Sequence, residues 1–238
     1  MKKRAKSAQL TFDDARKPTG RGGWRPGAGR KKGRRTTSHD ARPELKARFP
    51  VHVTMRIVAG VQSLRRDKLA KVVLLAIASS HKDKFRVVEF SVQGNHLHAI
   101  VEAANAGALS RGVGGMETRI AKRLNKVLGR RGRLFADRYH ARILMTPREV
   151  RNAIRYVLLN ARHHAPEGGV LFGETWFDPF SSCAWFDGWR RPLPLDAPWK
   201  RTLAQQPRPT APPTVWLLTV GWKRHGLIAL DELAARYD

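Results

Sequence analysis

From Pro50 to about residue 165 the chain switches repeatedly between two hydrophobic periods. Val51 to Val58 (Val-His-Val-Thr-Met-Arg-Ile-Val) alternates apolar and polar positions and is rich in β-branched residues, which predicts a strand. Residues 63–80 carry Leu64, Leu69, Val72, Val73 and Ala76 at helical spacing. Lys84 to Val92 reads as a second strand, Gly94-Asn95 as a turn, and His96 to Glu102 as a third strand returning in a hairpin. Residues 107–128 form an amphipathic pattern, with Leu109, Val113, Met116, Ile120 and Leu124 on the buried side. The pair Gly114-Gly115 weakens that helix and predicts a bend or a close packing contact. Tyr139 to Met145 alternates again as a fourth strand. Thr146-Pro147-Arg148-Glu149 then opens a last helix, with Thr146 as N-cap, Pro147 at the first helical position and Glu149 completing a capping box. That helix runs to about Ala161 and turns Val150, Ile154, Val157 and Ala161 to the core.

The order strand–helix–strand–strand–helix–strand–helix is not the alternation of a doubly wound parallel sheet. It predicts an α+β fold with an antiparallel sheet and helices packed on it, of ferredoxin-like kind.

Composition divides the chain into three parts. Residues 1–49 hold 16 Lys or Arg against 4 Asp or Glu and few apolar side chains, so they read as a disordered basic arm. Within it, Gly20 to Lys32 resembles an AT-hook, which lays arginines such as Arg25 and Arg30 into a narrow minor groove. Residues 50–165 form the patterned domain. Residues 166–238 carry six of the seven tryptophans and read as an extension with a proline-rich linker near 205–214. Those tryptophans fit either stacking on unpaired bases or, more commonly, anchoring of a loop-rich segment. Val215 to Val220 is an apolar segment suited to docking back on the domain.

The 238 residues carry a formal net charge of +27, from 46 basic and 19 acidic residues. Such a charge works against compaction unless the partner is a polyanion, and nucleic acid is the first choice. No stretch has the length of a transmembrane helix, and no apolar run follows Met1-Lys2-Lys3-Arg4, so neither a membrane anchor nor a secretory signal is expected. The single cysteine, Cys183, fits a reducing cytoplasm and has no metal-ligand neighbour at zinc-finger spacing.

The chemistry concentrates at Asn95-His96-Leu97-His98. On a strand His96 and His98 share one face while Leu97 takes the other, and two adjacent imidazoles are half of a divalent-metal site. Taken alone the pair also fits two polar residues of a half-exposed strand. Tyr156 and Asn160 lie one turn apart on the capped helix, on a flank of its buried stripe. Separately they read as a core-edge tyrosine and a polar residue near a helix end. Together with the histidines they supply a nucleophile and a third ligand. Two imidazoles and one amide make a modest-affinity set with open positions, which suits Mg²⁺ or Mn²⁺.

This set, in this order, resembles the single-tyrosine HUH transposases, and in particular their REP-associated tyrosine transposase branch. A His-hydrophobic-His strand, a basic amphipathic helix, the stretch Phe135-Ala136-Asp137-Arg138-Tyr139-His140 and Tyr-x-x-x-Asn on a helix carry the resemblance over about residues 50–165. Ala161, Phe135 and Gly94 stand where that branch commonly has Pro, Trp and Pro. The resemblance implies that His96, His98 and Asn160 bind the metal. It implies that Tyr156 attacks a phosphodiester of single-stranded DNA beside a hairpin, giving a 5′-phosphotyrosine and a free 3′-OH. Rejoining by another 3′-OH would complete strand transfer in a nucleoid-associated monomer or homodimer. Charge alone nominates Arg119, Lys122, Arg123 and Lys126, with Arg130, Arg131 and Arg133 of the following loop, as hairpin contacts. His140, His163 and His164 are lesser candidates for ligands, and Tyr139 and His140 are candidates for proximity to the site. The competing readings are a non-catalytic, domesticated hairpin DNA- or RNA-binding protein of the same fold, and an RNA platform using sheet aromatics such as Phe85 and Phe90.

Overall fold

A computed structural model describes residues 43–164 and 172–232; the side chains of His163 and His164, and Arg25 and Arg30 of the arm, lie outside the described residues. Four strands, β1 (Val51–Arg56), β2 (Phe85–Val92), β3 (His96–Ala103) and β4 (His140–Ile143), form one antiparallel sheet in the order β2-β3-β1-β4. Helices α1 (Asp67–Ala78) and α2 (Ala106–Val127) follow β1 and β3, and α3 (Pro147–His164) follows β4. This is the ferredoxin-like order, so the expected α+β class holds.

The period-two alternation sends the two sides of each strand into two different cores. Val51, Val53, Met55, Leu97, Ala99 and Val101 pack against α1 and α2. Ile100 packs on the opposite face with Val150, Ala153, Ile154, Val157 and Leu158 of α3. Each fully buried aliphatic side chain of α3 contributes roughly 1.5–3 kcal/mol, so hydrophobic burial fixes this helix on the sheet. Its start is the expected capping box: Thr146 Oγ1 accepts from Glu149 N at 3.2 Å, while Glu149 Oε2 accepts from Thr146 N at 3.0 Å and Met145 N at 2.8 Å.

The glycines of α2 act differently from the expectation. The helix runs unbroken through Gly114-Gly115, and the close contact occurs at Gly112, where an added Cβ would stand 2.1 Å from the Phe85 ring. Asn105 caps α2 by accepting from Ala108 N at 2.8 Å.

Residues 172–232 wrap the α3 side. They include α4 (Pro198–Gln205), α5 (Trp216–Thr219) and two 3-10 turns at Ser182–Trp185 and Gly221–His225. Phe177, Trp189, Leu217, Leu218 and Trp222 join the α3 core, so Val215 to Val220 docks as its apolar pattern predicts. Trp222 is buried, whereas Trp199 and Trp216 are exposed. The same segment covers the β2 edge: Phe180 O accepts from Val92 N, Ser182 Oγ from Phe90 N, and Val87 O from Ala211 N. A covered edge cannot template pairing with another chain. Arg65 forks onto Asp178 with two 2.9 Å bonds, and Glu232 takes Arg151 and Arg155 of α3. No described helix is long and apolar enough to cross a membrane.

Candidate active site

The sheet order makes β1 the neighbour of β3, and antiparallel register sets polar side chains of the two strands side by side. Thr54 stands opposite His98, Arg56 opposite His96, and His52 opposite Ile100. On the other flank, β4 sets His140 opposite Thr54 and Arg142 opposite His52. Since residues two apart share a face, one surface of the sheet gathers His52, Thr54, Arg56, His96, His98, His140 and Arg142. This surface lies under α3.

The two expected ligands meet. His96 Nε2 and His98 Nε2 are 3.0 Å apart, with the rings crossed at 87°. Two neighbouring ligands at right angles on an ion with bonds of about 2.1 Å stand about 3 Å apart, so the pair fits two adjacent positions of an octahedral Mg²⁺-like ion. Among the described residues no three His, Cys, Asp or Glu side chains form a metal-binding group. Asn160 lies one turn along α3 from Tyr156. It is fully buried and neither Oδ1 nor Nδ2 finds a hydrogen-bond partner, a state that costs about 1–3 kcal/mol for each group left unpaired. Two imidazoles without a thiolate suit a weakly held divalent cation better than a closed structural zinc site.

Tyr156 closes the site from α3. Its ring centre lies 5.1 Å from that of His98 and 5.9 Å from that of His52, edge-on to both. Tyr156 and the His96/His98 pair thus meet on one face of the sheet, against α3.

His52 was not foreseen as a site residue. Its Nε2 lies 3.2 Å from His98 Nδ1, and Thr54 Oγ1 lies 3.1 Å from the same atom. Burial, aided by the nearby His140 and Arg142, holds its pKa down at about 4, so His52 is neutral at neutral pH. The signal was present in the sequence: His52, Thr54 and Arg56 are polar at every second position of an otherwise apolar strand.

The expected cations divide. Arg119, Lys122, Arg123 and Lys126 ride on α2, whose buried side packs on the sheet face opposite α3. The loop after α2 reaches the site end of the sheet, because Ala136 N donates to Arg56 O at 2.9 Å and Arg56 faces His96. Arg133 folds onto the carbonyls of Phe135 and Ala136, Arg130 onto Asn125 and the Arg133 carbonyl, and Arg131 is exposed. Tyr139, a candidate for proximity to the site, is buried in the α1/α2 core on the other face; the alternation that brings His140 up turns Tyr139 down. Cys183 is fully buried and donates to Leu158 O, and burial pushes its thiol up to about 12, which suits a packing role. Phe85 and Phe90 are both buried in the α1/α2 core, so neither is open on the sheet for stacking RNA bases.

A search of solved structures returns a REP-associated tyrosine transposase bound to a REP hairpin. It is 18% identical, with a TM-score of 0.48, over 62% of this chain and 83% of that one. No family model matches the chain. No curated protein matches it either.

Proposed function

We propose that this protein is a metal-dependent nuclease and strand transferase acting on single-stranded DNA beside a hairpin, with Tyr156 as nucleophile. The single observation that carries the reading is the contact between Tyr156 and His98, 5.1 Å between ring centres, on the face where His98 and His96 pair their Nε2 atoms. A structural tyrosine needs no such neighbours, and a simple nucleic-acid binder needs none of the three residues together.

In this reading His96 and His98, with Asn160, hold a Mg²⁺ or Mn²⁺ ion. Such an ion neutralises the charge that develops on a phosphoryl oxygen. The Tyr156 hydroxyl, set on a capped and packed helix, attacks the phosphorus and loses its proton to solvent. The bond formed joins Tyr156 Oη to phosphorus and the bond broken is phosphorus to the 3′-oxygen. The leaving 3′-oxygen takes up a proton from solvent, so the products are a 5′-phosphotyrosyl strand and a 3′-hydroxyl. Attack by another 3′-hydroxyl reverses the step and transfers the strand without an external energy source. Arg56, His140, Arg142 and the loop arginines Arg130, Arg131 and Arg133 serve the phosphates leading to the site, while Arg119, Lys122, Arg123 and Lys126, with Arg25 and Arg30 of the arm, add sequence-independent attraction to the hairpin.

The test is incubation of the full chain with hairpin oligonucleotides carrying single-stranded flanks, labelled at the 3′ end to follow the adduct and separately at the 5′ end to follow the released strand, with Mg²⁺, with Mn²⁺ and with chelator. The reading predicts a metal-dependent slow-migrating protein–DNA adduct together with a shortened strand ending in a 3′-hydroxyl. Tight hairpin binding with no cleavage under any of these conditions would instead favour a non-catalytic binding protein of the same fold.

A further inference from the structure

An imidazole nitrogen takes a cation only through a free lone pair, so the ring proton has to sit on its other nitrogen. The 3.0 Å contact between the two Nε2 atoms therefore has two states. Without a cation, one ring proton bridges the gap. With a cation, that proton must leave the gap and both protons must stand on Nδ1.

Each Nδ1 has an acceptor in place. His96 Nδ1 lies 2.8 Å from Asn95 Oδ1, and an amide oxygen only accepts, so His96 keeps its proton on Nδ1. For His98 the acceptors are Thr54 Oγ1 at 3.1 Å and His52 Nε2 at 3.2 Å. His52 is only 7% exposed, and its ring is tilted 32° from that of His98. It packs against both the His98 and the Tyr156 rings, with ring centres 5.2 and 5.9 Å away.

We infer that Asn95 and His52, the latter with Thr54, are positioning residues that hold the ring protons of His96 and His98 on Nδ1 and so free both Nε2 lone pairs for one divalent cation. The inference rests on the proposed metal role of the His96/His98 pair. Neither residue touches the cation; each acts through the histidine beside it. Outer partners of this kind typically change metal affinity about 10- to 100-fold when removed.

The experiment is Mn²⁺ titration of the full chain without DNA, with free Mn²⁺ counted by electron paramagnetic resonance, alongside thermal melting. The variants come in pairs that lose or keep the acceptor: Asn95→Leu against Asn95→Asp, and His52→Phe against His52→Gln. Asn95 is exposed, so its pair leaves the core untouched and serves if the His52 variants melt early. Expected are dissociation constants raised about 10-fold or more in Asn95→Leu and His52→Phe, with Asn95→Asp and His52→Gln within about threefold of wild type. Wild-type affinity in Asn95→Leu and His52→Phe, with binding lost in His96→Ala and His98→Ala, would overturn the positioning role and leave the metal site standing. Absence of Mn²⁺ binding by the wild type itself would overturn both.

Discussion

His96 and His98 turn their Nε2 atoms toward each other across 3.0 Å, on the sheet face that Tyr156 covers. The arrangement follows from simple rules. Strand alternation puts both histidines on one side, the capping box fixes where α3 begins, and the buried stripe of α3 sets which flank it turns to the sheet. Each of these supports can be tested separately from the chemistry.

The capping box is the first. Thr146 Oγ1 and Glu149 Oε2 between them satisfy three backbone donors at the start of α3. Thr146→Ala should cost about 1 kcal/mol and lower the melting temperature by about 2–4 °C for a chain of this size. Differential scanning calorimetry of the variant and wild type reads the shift directly.

The glycines of α2 separate packing from propensity. At Gly112 a Cβ would meet the Phe85 ring at 2.1 Å, whereas at Gly114 nothing lies within 4 Å. Gly112→Ala should destabilise by about 1–3 kcal/mol through overpacking. Gly114→Ala should stabilise by about 0.5–1 kcal/mol, because a helix interior favours Ala over Gly. Urea unfolding of the two variants should therefore move the midpoint in opposite directions.

Glu89 gives the fold a pH signature. It is buried beneath Ser182, and desolvation by that burial raises its carboxyl pKa to about 8, although the Ser182 hydrogen bond and Arg208 pull the other way. The folded state thus binds more protons than the unfolded state between about pH 4.5 and 8. Stability from this group is fully present below about pH 4.5 and is lost as pH rises through 8. Glu89→Gln, which keeps an acceptor for Ser182, should flatten the decline of melting temperature over that range. An identical pH profile in the two proteins would count against the shift.

Much of this architecture is legible along the chain, for reasons particular residues make plain. Leu109, Val113, Met116, Ile120 and Leu124 mark the buried side of α2, and all five are buried. Thr146, Pro147 and Glu149 announce the start of α3 because capping is local chemistry. His96 and His98 share a face because the strand period is two. What the sequence hides is long-range. His52 stands 46 positions from His98, and only the sheet order β2-β3-β1-β4 makes them neighbours. Gly112 shows its purpose only once Phe85 is seen against it. The segment from 172 onward has too little period to reveal that Phe180, Ser182 and Ala211 would close the β2 edge.

The central claim is that Tyr156 is the nucleophile. Its most direct test is to trap the full chain on a single-stranded hairpin substrate with Mn²⁺, digest the DNA and the protein, and locate the nucleotide-bearing peptide by mass spectrometry. The account predicts a phosphodiester-linked nucleotide on Tyr156, absent without metal and absent in Tyr156→Phe, while Tyr156→Phe keeps its hairpin affinity. An adduct on another residue, or one that survives in Tyr156→Phe, would contradict it.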